Sequence, residues 1–272
     1  MATLCSLFGR KRQAYYKRNN QSISEKEIEQ EVLNIANTYR SMMPMLGGLK
    51  LYHMTRDILG DSLCMGRDKY LRFLRKNHMI LMPRKPRHTT NSNHLYFKYP
   101  NKAKGLQIEH VNQLWVSDIT YIYTAEDGFC YLHLITDAFS RYILGYVVSP
   151  TLAACYTIEA LNQAIALAGG GNLCGTIHHS DRGVQYCCDD YITRLKEHSI
   201  LISMTEDSNP TDNGLAERIN GIIKNEFLEP LQTPRNLQEA IPMVNNAIHL
   251  YNNVRPHMSL HMQTPASVYE NK

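Results

Sequence analysis

At 272 residues the chain is too long for one small module and suits two domains, or one with extensions. A hydrophobic content of 43% is enough for a packed core and excludes global disorder, and no apolar run approaches the ~18 residues of a membrane span. The net charge of +4 hides a division: residues 1–110 hold 20 Lys and Arg against 8 Asp and Glu, whereas residues 111–272 hold 9 against 17.

The basic half suits a polyanionic partner, since each cation set against a phosphate releases counterions. The acidic half would repel the same partner unless a metal cation intervened. At the N-terminus the charges follow the apolar stretch, the reverse of a secretory signal. The seven cysteines contain no Cys-x-x-Cys pair and read as reduced thiols in a cytosolic protein.

The first half reads as helical. Leu4 to Phe8 and Arg12 to Arg18 resemble two short helices around Gly9. Ser24 with Glu27 gives a capping-box signal, followed by a helical period through Ile28, Val32, Ile35 and Tyr39. Leu49 to Leu59 is amphipathic and stops at Gly60, and a basic helix begins at Arg67 and runs to Asn77. In it Tyr70, Leu71 and Leu74 can face inward while Arg67, Arg72, Arg75 and Lys76 stay outside. Two helices and a polar turn, the second helix basic, make a helix-turn-helix pattern for DNA, against the plainer reading of solvated surface helices. This gives a helical DNA-binding region over 1–82 and a basic, proline-containing linker over 83–108.

From Gln113 the texture changes to β-branched and aromatic residues. Strands are predicted over 113–124, 129–136 and 142–148, the first two joined by the turn at Glu126-Asp127-Gly128. A helix over 151–168, a strand over 176–179, a helix over 191–197, a strand over 200–204, and helices over 213–227 and 237–252 follow. The order is that of an α/β fold with a mixed five-stranded sheet flanked by helices, with a core over 109–229 and a helical extension over 230–272.

Three acids stand out. Asp118 interrupts an apolar strand, Asp181 follows a strand end in His178-His179-Ser180-Asp181-Arg182-Gly183, and Glu217 lies in a helix. Singly each has an ordinary reading: a satisfied buried Asp, a turn Asp and a solvated Glu. Together, with thirty-five residues between Asp181 and Glu217, they form a pattern. Asp137 reads as a turn residue capping backbone amides. His178, His179 and the Cys187-Cys188 pair do not supply four ligands at zinc spacing.

The segments LWVSDITYI (114–122), LITDAFSRYILGYVVS (134–149), HHSDRGVQY (178–186), NPTDNGLAERINGIIKNE (209–226) and YNNVRPHMSLHMQTPASVY (251–269) resemble the DDE transposases of the insertion-sequence-three family, the products of their second reading frame (OrfB type). That resemblance implies a ribonuclease-H-like fold with the catalytic core of integrases. It implies Asp118, Asp181 and Glu217 as catalytic residues and as ligands of two Mg²⁺ ions, with Mn²⁺ an acceptable substitute. Hard oxygen donors suit that ion, and two such ions can relieve charge on both oxygens of an in-line displacement at phosphorus. The expected activity is 3′-end cleavage of element ends followed by strand transfer, with a cutting-only nuclease and an inactive DNA-binding relic as the alternatives. Lys224, seven residues after Glu217, would hold an element-end phosphate, and Asn220 and Arg182 are further candidates for DNA, Arg182 for DNA or simple packing. The expected partners are element-end and target DNA, further copies of the chain on DNA, and an upstream-frame (OrfA-type) product or fusion. The expected location is the bacterial cytoplasm, with no membrane partner.

Overall fold

The computed structural model describes residues 12–81, 96–206 and 213–271. The expected helix at Leu4–Phe8 lies outside these residues, as do much of the linker and the start of the segment before Glu217. The chain divides into two compact units, Met1–Pro83 and Arg84–Lys272.

The first unit consists of helices. α1 (Arg12–Met42) runs unbroken through Ser24, so the capping box does not start a helix there, and the separate short helix ending near Arg18 is part of α1. Helical propagation past Ser24 adds one backbone hydrogen bond per residue, whereas a new start would leave four amides to be satisfied. α2 (Gly48–Leu59), a single 3₁₀ turn (Gly60–Ser62) and α3 (Arg67–Lys76) follow. Gly48 lets α2 approach α3, because a Cβ there would meet Leu71 Cδ2 at 2.9 Å. Tyr70 and Leu74 of α3 are fully buried, and the Tyr70 hydroxyl lies 2.8 Å from Thr55 Oγ1 of α2. Arg40 of α1 donates to Met79 O (3.0 Å), tying the end of the unit to its beginning.

The second unit is built on a five-stranded sheet in the order β3-β2-β1-β4-β5. β1 (Leu114–Thr124), β2 (Gly128–Asp137) and β3 (Ile143–Ser149) form an antiparallel ribbon, while β4 (Ile177–Ser180) and β5 (Leu201–Met204) add in parallel. Parallel neighbours need crossovers, which here are α4 (Ala154–Leu167) between β3 and β4, and the pair α5 (Val184–Cys187) and α6 (Asp189–Glu197) between β4 and β5. Trp115, Ile135, Leu161, Tyr191 and Leu195 anchor the core on the α4 face. Gly145 permits the contact of β3 with α4, since a Cβ there would lie 2.1 Å from Ala160 O.

The last part of the chain differs from the sequence expectation at two points. The helix after residue 213 is α7 (Gly214–Ile222), which then widens into a π-helical turn at Ile223–Leu228. α8 (Leu237–Asn253) does not end the regular structure, because a 3₁₀ turn and α9 (Pro265–Glu270) follow. α8 covers the edge strand: Ile143 N donates to Asn252 Oδ1 (3.0 Å) and Asn252 Nδ2 returns a bond to Ile143 O (3.1 Å). Among the described residues no helix is long and apolar enough to cross a membrane.

Candidate active site

Asp118 and Asp181 are brought together by strand pairing. β1 and β4 run parallel with Trp115 opposite His178 and Val116 opposite His179. Continued two residues, that register sets Asp118, in the middle of β1, beside Asp181, just past the carboxyl end of β4. Asp118 sits within the fold, and its pKa is pushed up to about 7, first by burial and next by the negative charge of Asp181. Glu217 adds to the repulsion as the smallest of the contributions.

Two hydrogen bonds orient Asp118. Its Oδ1 accepts from Ile119 N (2.9 Å) and its Oδ2 from Asn220 Nδ2 (2.8 Å). Asn220 lies one turn after Glu217 on α7, so this bond docks the helix of the third acid onto the strand of the first. Asn213, at the start of the same helix, donates to Ser117 O (3.0 Å) and fixes the helix a second time. Both amide oxygens, Asn213 Oδ1 and Asn220 Oδ1, are buried without a hydrogen-bond partner among the described residues.

The floor of the site is neutral. Ser117 Oγ donates to Leu134 O and pairs with the Tyr186 hydroxyl, each at 3.0 Å. Burial and the charges of Asp118 and Asp181 drive the Tyr186 pKa well up, so its proton stays in place. Gly183 N donates to Asp181 Oδ1 (2.9 Å), a turn bond that directs the carboxylate from the strand end.

Glu217 is exposed, and the three acids do not close into a cluster: among the described residues no three His, Cys, Asp or Glu side chains come close enough to hold an ion. The donor set nevertheless suits a hard divalent cation, being carboxylate oxygens together with the two orphaned amide oxygens of α7 and its start. His178 and His179 are engaged elsewhere, with Tyr191 OH (2.9 Å) and Ser203 Oγ (2.8 Å).

The other sequence-predicted residues lie at varied places. Asn220, expected at DNA, is 5% exposed and turned onto Asp118. Arg182 is half-buried in the turn after β4. Lys224 lies at the π-turn with its Nζ 4.6 Å from the centre of the Tyr121 ring. Arg67, Arg72, Arg75 and Lys76 are exposed along α3 in the first unit, Arg67 beside Asp68 at 2.9 Å. The sequence reading missed Asn213 and the pair formed by Glu226 and Arg255. Arg255, 3% exposed, meets Glu226 of the π-turn through two bonds of 2.8 Å. The only signal for either was position: Asn213 opens the helix of the third acid, and Arg255 stands in the segment YNNVRPH.

Comparison with known proteins adds the lineage. Residues 109–210 match the family model described as integrase core domain, and residues 198–265 match a second model of that description. The chain is 32% identical over 282 residues to the insertion element IS600 uncharacterized 31 kDa protein of Shigella sonnei, covering 98% of this chain and 97% of that one. The chain belongs to the insertion-sequence-three family of DDE transposases. Members of this family are DDE polynucleotidyl transferases. The transposase InsF for insertion sequence IS3A of Escherichia coli is 36% identical over 117 residues, 43% of this chain and 40% of the relative. A simian T-cell lymphotropic virus intasome, solved in complex with a PP2A regulatory subunit, shares the fold at 17% identity and a TM-score of 0.50, covering 86% of this chain and 74% of that one.

Proposed function

We propose that this transposase cleaves DNA at the ends of its element and joins the freed ends to target DNA, with Asp118, Asp181 and Glu217 holding two Mg²⁺ ions or Mn²⁺ in their place. The observation that carries this reading is Asp118 set beside Asp181 on adjacent parallel strands, with the helix of Glu217 docked onto Asp118 through Asn220. Bound at these carboxylates, the ions supply charge relief to the entering and leaving oxygens of an in-line displacement.

The chain's own residues hold the geometry. Ile119 N and Asn220 Nδ2 fix the plane of the Asp118 carboxylate, and Gly183 N fixes that of Asp181. Tyr186 and Ser117 close the floor with neutral groups, so no side chain beneath the acids competes for a cation. In the first displacement an oxygen of water bonds to phosphorus and the 3′-oxygen leaves, taking a proton. In the second, that 3′-hydroxyl oxygen attacks a target phosphodiester and a target 3′-oxygen leaves, so the number of phosphodiester bonds is conserved and no protein–DNA bond forms.

Lys224 and Arg182 serve the DNA strand at the core, while Arg67, Arg72, Arg75 and Lys76 serve phosphates from the helical region over 1–82. Residues 83–108 link that region to a core over 109–229 extended by 230–272. Several copies assemble on DNA in the cytoplasm, with an upstream-frame product or fusion as a further partner. The test is labelled element-end DNA with Mg²⁺, comparing wild type with Asp118→Asn. Cleavage and joining by wild type alone are expected. Equal products from both proteins would end the catalytic reading, and cutting without joining would reduce it to a nuclease.

A further inference from the structure

Beyond Asp118 the sheet carries a feature that its core packing does not use. Tyr121, Tyr123 and Phe129, at the far end of the β1–β2 ribbon, are 42%, 56% and 54% exposed. They are in mutual contact: Phe129 meets Tyr121 at 5.4 Å and Tyr123 at 5.5 Å between ring centres, both edge to face. Lys224 closes one end of this strip with its ammonium over Tyr121. Three adjoining exposed rings are an unusual surface for a chain in water, and such patches mark binding sites.

The strip is held rigidly. Its turn is fastened to the segment before α8, where Ala125 N donates to Pro234 O (3.0 Å), Glu126 N to Arg235 O (2.7 Å) and Leu237 N to Asp127 Oδ2 (2.9 Å). Asn236 Nδ2 also bonds Glu126 Oε2 (3.3 Å), so the two acids of the turn are engaged by this segment. What remains is apolar ring surface with a cation at one end.

We propose that the strip Tyr121–Phe129–Tyr123, with Lys224, is a stacking platform for unpaired nucleotides of the DNA strand handled at Asp118. The proposal rests on the DNA reading above. A nucleotide offers the complement of this surface, a flat base for the rings and a phosphate for the ammonium. Tyr121 lies three residues along β1 from Asp118, roughly 10 Å at the rise of a β-strand, and by strand alternation on the opposite face, so a nucleic-acid strand at Asp118 reaches the rings around the edge of β1 beyond its pairing with β4, where Lys224 already meets Tyr121. Paired bases keep their faces inside the duplex, so the platform selects frayed ends. A second copy of this chain fits less well, because a two-fold contact through the strip would set Lys224 near its own counterpart.

The experiment uses the full chain without divalent metal, a blunt element-end duplex, and the same duplex with a few unpaired terminal nucleotides carrying a fluorescent base analogue. Wild type should favour the frayed end about tenfold and quench the analogue, whereas Tyr123→Ala and Phe129→Ala should lose that preference and leave blunt-end affinity unchanged. Tyr123→Phe should retain it, as should Leu167→Ala, which removes an exposed apolar side chain elsewhere. Equal preference in wild type and the alanine variants would overturn the platform while leaving the DNA reading intact. A self-association lost in the same variants, with DNA binding unaltered, would assign the strip to a second copy and overturn it too. Failure of wild type to bind either duplex would defeat the platform together with the DNA reading.

Discussion

The β1–β2 ribbon carries two aspartates toward the same end, Asp137 opposite Trp115 and Asp118 opposite Leu134, and the two are settled differently. Asp137, wholly buried, accepts from Asn112 N (2.7 Å) on Oδ1 and from Ser140 N (2.7 Å) and Ser140 Oγ (2.6 Å) on Oδ2. Burial raises its pKa, and these donors, followed by the positive charge of Arg141, oppose the rise. Asp118, three positions along on the neighbouring strand, has two donors, and the largest influence after burial is another carboxylate, which raises its pKa further. Burial alone does not separate a structural acid from a candidate metal ligand. The neighbours do: donors settle a charge in place, whereas a second acid leaves a deficit that a cation can fill.

Substitution should drive the two acids apart. Asp118→Asn should abolish cleavage by about a thousandfold or more, ~4 kcal/mol of barrier. The same change should stabilise the metal-free protein at neutral pH. A carboxyl whose folded pKa of about 7 lies above its ordinary 3.8 costs stability progressively as pH rises between those values, and the amide removes that cost. Thermal melts with and without Mg²⁺ check both signs: the ion should raise the wild-type midpoint and leave the Asn variant nearly unmoved.

Next in size is the pair of Arg255 and Glu226. Arg255→Ala removes both bonds to the half-buried Glu226 carboxylate and should cost about 3 kcal/mol by denaturant unfolding, while replacing both residues by apolar ones of similar volume should recover most of it. Asp137→Ala leaves the Asn112 and Ser140 amides without their acceptor. Its expected cost is about 3 kcal/mol, with cleavage per folded molecule retained.

Two buried histidines have the opposite pH sign to that of Asp118. Burial lowers the pKa of His133 to about 4 and of His178 to about 3, both below the ordinary 6.5. The unfolded chain then binds more protons below pH 6.5, so stability should fall as pH drops toward 4, by up to about 1.4 kcal/mol per pH unit for each histidine. His133→Gln should flatten that slope in denaturant titrations at several pH values. Smallest is the helical region. Replacing Arg72 and Arg75 by Gln should lower the salt dependence of DNA binding by about 0.9 in log–log slope for each phosphate no longer neutralised, read by anisotropy.

Much of this is legible in the chain because local chemistry decides it. β1 through β3 announce themselves by alternating β-branched and aromatic residues around Glu126-Asp127-Gly128, and Asp118 is conspicuous as an acid inside such a run. Strand pairing then carries Asp118 to Asp181. What escapes depends on distant partners. The π-turn needs Arg255, twenty-nine residues from Glu226. The role of Asn220 needs a carboxylate 102 residues away, so its position beside Glu217 suggests an outward-facing residue. Ser24 misleads because a cap signal is local while the decision to continue a helix is cooperative.

The clamp of Arg255 on Glu226 also imposes a sequence of events on synthesis. A nascent polypeptide that has left the ribosome as far as α7 already contains all three carboxylates, yet the guanidinium that locks the turn behind Glu217 has not emerged. Closure of the turn behind Glu217 therefore waits until residue 255 has been translated, and abortive products ending before it carry the acids without the lock.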